Sequence, residues 1–151
     1  APAPAVVIPP APVFDASLTD NMIVYKDTLI LNGTKSSSAT SIEVNGSAQG
    51  LTYPLNVTWM KTVSLTLGEN VFSILAKNSA GASSLVKLTV VYRKMGDILG
   101  LGGAVKIGDR HLSKLLSVWN LVGAAAAPYD LNRDGKINIF DLSLLLANWV
   151  K

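Results

Sequence analysis

The chain has 151 residues, 49% of them apolar and 15% charged, with no cysteine and one histidine. These counts exclude disulfide scaffolds, thiol nucleophiles, iron–sulfur clusters and Cys-ligated zinc, and they leave any Ser-His-Asp or multi-His metal site to His111 alone. The net charge of +3 is scattered, with seven Lys/Arg and five acids in residues 1–94 and six and five in residues 95–151. No basic run interleaved with aromatics accompanies it, so nucleic acid is not an expected partner.

Residues 1–13, APAPAVVIPPAPV, hold five prolines. Proline fixes φ and removes backbone donors, so an extended arm or linker is expected. Val6, Val7 and Ile8 are costly to leave in water, and docking of this arm on a neighbour is the sharper reading. The start lacks the basic region of a signal peptide. It reads either as a mature end left after export or as a cut within a longer chain. No stretch reaches the roughly 18–20 apolar residues of a membrane span.

Residues 14–94 read as all-β, about seven strands separated by turn signals. Tyr25–Leu31 is expected to end at an Asn32-Gly33 turn and Ser41–Val44 at Asn45-Gly46. Val63–Leu67 should end at Gly68-Glu69-Asn70, and Val71–Ala76 at Asn78-Ser79-Ala80-Gly81. Ser84–Tyr92 closes the series. Asn-Gly is a hairpin signal because both residues tolerate φ > 0. In the last run Val86, Leu88, Val90 and Tyr92 form the wholly apolar set and should face the core. The segments Leu31–Thr34, Ile42–Gly46, Val63–Asn70 and Ala76–Ser84 resemble bacterial Ig-like domains. That resemblance implies a two-sheet sandwich and says little of function. Asn32, Asn45 and Asn56 open Asn-x-Ser/Thr triplets, of which the first two are better explained by turn chemistry.

Residues 95–151 change period. Leu112, Leu115, Leu116 and Trp119 stand at i, i+3, i+4, i+7, and Leu142, Leu145, Leu146 and Trp149 repeat that spacing thirty residues later. Two helices with apolar stripes packed on one another are expected. Just before the second helix, residues 130–141 read Asp-Leu-Asn-Arg-Asp-Gly-Lys-Ile-Asn-Ile-Phe-Asp. Asp130, Asn132 and Asp134 place side-chain oxygens at positions 1, 3 and 5. Gly135 permits a sharp turn, Lys136 offers its carbonyl, Asn138 can act through water, and Asp141 closes position 12. This is the order in which a 12-residue loop supplies oxygens to Ca²⁺.

The loop departs from the EF-hand pattern in having Asp at position 12 and no helix-length run before Asp130. A loop followed by one helix, repeated once, resembles a dockerin, over about residues 95–151. The expected architecture is therefore an all-β Ig-like sandwich followed by a small α-helical dockerin-like module. Dockerins are calcium modules that plug into cohesin domains in extracellular assemblies. The resemblance implies that Ile139, Phe140, Ser143 and Leu144 face a protein partner. The first repeat lacks the pattern. His111 stands opposite Asp141, only Asp97 could open a loop, and that loop would need about three extra residues. One Ca²⁺ site is therefore expected, with His111 a helix-start residue rather than a ligand. Ile98, Leu99 and Leu101 read as a hydrophobic surface that folds back or meets a partner.

The leading functional expectation is a non-enzymatic, extracellular or cell-surface bacterial assembly module that docks on a cohesin-like or other protein. A self-assembling subunit of a surface filament is the first alternative. An accessory region of a carbohydrate-active enzyme is the second, because the resemblance implies modules that often accompany such enzymes; catalysis within this chain is not expected, since it has no paired carboxylates on a recognisable cleft scaffold.

Overall fold

The computed structural model describes residues 5–103 and 105–150. Residues 1–4 of the proline-rich arm lie outside the described residues. Nine strands are described: β1 Val13–Phe14, β2 Met22–Val24, β3 Thr28–Thr34, β4 Ser41–Val44, β5 Leu51–Thr52, β6 Thr58–Ser64, β7 Gly68–Asn78, β8 Gly81–Ala82 and β9 Val86–Tyr92. They form two sheets, in the orders β1-β3-β6-β5 and β2-β9-β7-β4, with β8 paired to β7. This is a β sandwich. Two nine-residue helices follow, α1 Asp109–Ser117 and α2 Ile139–Ala147, with a single 3-10 turn at Gly123–Ala125 between them.

The alternation of the sequence decides which way the strands face. Phe72, Ile74 and Ala76 of β7 are buried, while Val71 is half exposed. Leu88 and Val90 of β9 are buried as the period-2 reading expects. Leu31 and Trp59 come from one sheet, and Ile42, Val44, Phe72, Ile74 and Leu88 from the other. Trp59 is the largest buried side chain, and burying its ring contributes about 3 kcal/mol or more. Its Nε1–H donates to the Thr34 carbonyl at 3.3 Å, and Phe14 meets it edge-on at 5.7 Å.

Asn45-Gly46 is a turn, with φ of 50° and 78°. Asn32-Gly33 is not. Gly33 lies within β3, opposite Trp59 on one side and Phe14 on the other. A Cβ there would stand 2.0 Å from the Val13 carbonyl oxygen. The glycine answers a close backbone approach rather than a turn, the other physical reason for glycine in a strand. Likewise Tyr25 is not a strand residue. The run read as Tyr25–Leu31 starts at Thr28, and Tyr25 turns its ring into a different core.

Contacts group the chain into two units. One comprises Ala1–Met22, Thr28–Ser64 and Val71–Thr89; the other comprises Ile23–Asp27, Leu65–Asn70 and Val90–Lys151. The second has its own hydrophobic cluster of Tyr25, Ile98, Ile107, Leu115, Val118, Ala126, Leu131, Ile137 and Leu145. Leu112, Trp119, Leu142 and Trp149 of the two expected stripes pack against it. Leu116 and Leu146, the i+4 members, are instead about half exposed. The inward line on α1 runs His111, Leu115, Val118.

Candidate metal centre

The two helices are offset by thirty residues, and so are the segments that lead into them. Ile107 bridges to Trp149, and its carbonyl accepts from the Val150 N–H at 3.0 Å. Thirty residues on, Ile137 exchanges hydrogen bonds with Asn120 and Leu121, at 3.0 and 2.9 Å. Each loop end is thus tied to the segment that leaves the other helix. That reciprocity holds the 130–141 loop against the cluster and buries Ile137 and Leu131.

The loop is closed by its carboxylates. Asp130 accepts backbone N–H groups from Arg133 at 2.6 Å, Asp134 at 3.3 Å and Gly135 at 2.7 Å. Arg133 and Gly135 hold positive φ, 62° and 83°, which turns the backbone back toward Asp130. Only glycine adopts that conformation without cost, and Gly135 stands at position 6 where the turn is sharpest. Asp141 accepts from Leu131 N–H and Asn138 N–H, both at 2.8 Å. Asn138 caps α2, its side-chain oxygen accepting from Phe140 N–H at 2.8 Å. Asp134 accepts from the Asn132 and Asn138 amides at 3.0 and 3.2 Å, and from Lys136 N–H at 2.9 Å. Hydrogen bonding from Asn132, aided by Asn138 and Lys136, holds the Asp134 carboxyl below the usual carboxylate range.

The candidate donors are all oxygens. Asp130 is 4% exposed and Asp141 0%, and each is held by backbone N–H groups with no lysine or arginine paired to it among the described residues. Buried carboxylates are ordinarily paired or coordinate metal. Among the described residues no group of three or more His, Asp or Glu side chains is arranged to hold a metal ion. The oxygens here are mixed: carboxylates at Asp130, Asp134 and Asp141, amides at Asn132 and Asn138, and the Lys136 carbonyl. Calcium accepts such neutral oxygens beside carboxylates. Asn132 and Asp134 are exposed, so one wall of the loop is open to solvent.

At positions 10 and 11 of the loop, Ile139 is 56% exposed and Phe140 63% exposed. Ser143 is also exposed, whereas Leu144 is half buried against the cluster. Ile98 is buried in that cluster, while Leu101 stays exposed. Tyr25 reaches the same unit from far upstream, its hydroxyl donating to the Pro128 carbonyl at 2.8 Å. Burial pushes the Tyr25 hydroxyl well above the usual tyrosine range, against the opposing pull of Arg93. Nothing in the sequence pattern marks Tyr25 as part of this unit.

No family model and no curated protein matches this chain. Solved structures do. A pair of titin Ig domains is 14% identical with a TM-score of 0.40, over 59% of this chain and 50% of that one. An endo-fucoidan hydrolase of glycoside hydrolase family 107 is 13% identical with a TM-score of 0.36, over 58% of this chain and 17% of that one. A human fibronectin type-III domain is 19% identical with a TM-score of 0.30, over 62% of this chain and 93% of that one. The chain thus spans half or less of the first two. Among the described residues no helix is long and apolar enough to cross a membrane.

Proposed function

We propose that this chain is a non-enzymatic extracellular assembly module. In this reading the β sandwich serves as spacer. Residues 95–151 form a dockerin-like unit that binds one Ca²⁺ through Asp130, Asn132, Asp134, Lys136, Asn138 and Asp141. The unit docks on a cohesin-like protein through Ile139, Phe140, Ser143 and Leu144. One observation carries the reading. Two buried carboxylates, Asp130 and Asp141, close a twelve-residue loop, and Ile139 and Phe140 within it leave a large apolar pair in water. Bound there, the cation neutralises the loop carboxylates and couples metal binding to folding. The chain's own part is to orient the oxygens and to present Ile139 and Phe140 at the start of α2.

Calorimetric titration of Ca²⁺ into the chelator-stripped chain should give one ion per chain. No binding at millimolar Ca²⁺ would remove the calcium reading. Replacing Ile139 and Phe140 together by Asp should abolish capture on an immobilised panel of cohesin domains while leaving the melting temperature unchanged, because both side chains are exposed. Capture undiminished by that change would remove the assigned surface.

Self-assembly into a surface filament is the second reading. Val6, Val7 and Ile8 support it, at 62%, 73% and 53% exposed, with the Val7 carbonyl held by the Asn78 amide at 2.8 Å. Light scattering that shows a strict monomer at high concentration would set it aside.

A further inference from the structure

A dockerin-like repeat implies two calcium loops, and the first loop here does not fit the ion. Asp97 corresponds to Asp130 and His111 to Asp141, but fifteen residues separate them inclusively where the second loop has twelve. Between them Leu99 and Leu101 offer no side-chain oxygen. Nonetheless the ends are built like those of the second loop. Asp97 is 0% exposed and accepts backbone N–H groups from Leu101 at 3.0 Å and Gly102 at 2.9 Å, as Asp130 accepts from its own loop. His111 is 2% exposed and occupies the third position of α1, as Asp141 does in α2. Its Nδ1 accepts from the Gly108 N–H at 3.4 Å, the same reach-back that Asp141 makes to Asn138.

The two groups differ on their other face. A carboxylate has acceptors on both sides, so two facing carboxylates need a cation between them. An imidazole whose Nδ1 accepts carries its proton on Nε2 and is a donor on the far side. That Nε2 has no hydrogen-bond partner, and it faces Asp97 Oδ1 at 3.5 Å. We infer that the Asp97–His111 pair replaces the metal in the first loop. The imidazole keeps the helix-capping contact of the position-12 carboxylate, and its Nε2–H supplies the positive end that Ca²⁺ supplies in a calcium loop. The first loop is therefore metal-independent, and calcium governs only one of the two halves. Nothing in this geometry depends on an ion at Asp130–Asp141.

With a single histidine in the chain, its tautomer is read without ambiguity. Long-range ¹H–¹⁵N spectra of the full chain in chelator at pH 8 should show the proton on Nε2 and a bare Nδ1. A proton on Nδ1 would overturn the assignment. The variant His111→Asp keeps the cap but sets two carboxylates face to face. In chelator its melting temperature should fall by about 5–15 °C. Adding Asp97→Asn to it removes one of the two facing carboxylates at the cost of one backbone N–H contact, from Leu101 or Gly102, and should recover part of the loss. Strictly additive losses would overturn the pairing. So would Zn²⁺ bound by the wild-type chain and lost in Asp97→Asn, which would make this place a cation site.

Discussion

Tyr25 shows how much one side chain can carry. It is buried in the cluster of the second unit, and its hydroxyl donates to Pro128. Desolvation holds that proton well above the usual tyrosine value of about 10. The sign follows from linkage. Below pH ~10 the hydroxyl keeps its proton folded or unfolded, and its contribution is fully present. Above it the unfolded chain loses the proton first, so stability falls as pH rises toward the folded value. Tyr25→Phe should cost about 1 kcal/mol near pH 8, from the unpaired Pro128 carbonyl. It should also flatten the decline above pH 10 in denaturant melts, and parallel declines would refute this. The Asp130–Asp141 spacing was legible because a loop of oxygens at fixed offsets is local in sequence. Tyr25 was not, because 103 residues separate it from its partner. His111 was half legible: its place at a helix start could be read, but its burial opposite Asp97 could not. A polar residue on the inward line of a helix is invisible to hydrophobic periodicity.

At the level of elements, alternation alone does not set strand bounds: the alternating Val63–Leu67 run leaves β6 after Ser64, and Gly68–Asn70, expected as a turn, opens β7. β4 matches its expected run residue for residue, and β9 faces as expected. At Asn32-Gly33 the same dipeptide that makes a turn at Asn45-Gly46 lies inside β3, because β1 crosses its backbone too closely for a Cβ. Gly33→Ala should therefore separate β1 from β3 and push on Trp59, whose Cζ2 would be 3.0 Å from the added carbon. Overpacking against backbone is not relieved by a rotamer change, so a loss of roughly 3 kcal/mol is expected in urea unfolding. Gly46→Ala is the comparison: nothing lies within 4 Å of a Cβ there, and only its positive φ resists. It should cost about 1 kcal/mol. Equal costs at the two sites would refute the close-approach argument. The helices show a related effect: their apolar stripes were read one position too wide. Each helix has only nine residues and buries a narrow line, which leaves Leu116 and Leu146 outside.

Over the whole chain, the contact grouping gives the proposed calcium site a definite footprint. Ile23–Asp27 and Leu65–Asn70 belong with Val90–Lys151, although sequence texture changes only near residue 95. The 130–141 loop is tied on one side to Leu121 and Gly123, whose N–H donates to the Gly135 carbonyl at 2.9 Å. Through Pro128 it is tied to Tyr25. If a cation neutralises Asp130 and Asp141, removing it leaves two buried carboxylates held by backbone N–H groups alone, with no countercharge, a cost the loop relieves by opening. Hydrogen exchange with and without chelator should then show faster exchange over residues 120–149 and at Ile23–Asp27. Exchange should not change in β3 and β6, whose seven paired positions lie in the other unit. Leu101 and Gly102, which donate to Asp97, should keep their protection if His111 stands in for the metal there. Loss of protection in β3 would refute the division of the chain into these units. Loss at Leu101 and Gly102 together with 120–149 would tie the first loop to the ion after all.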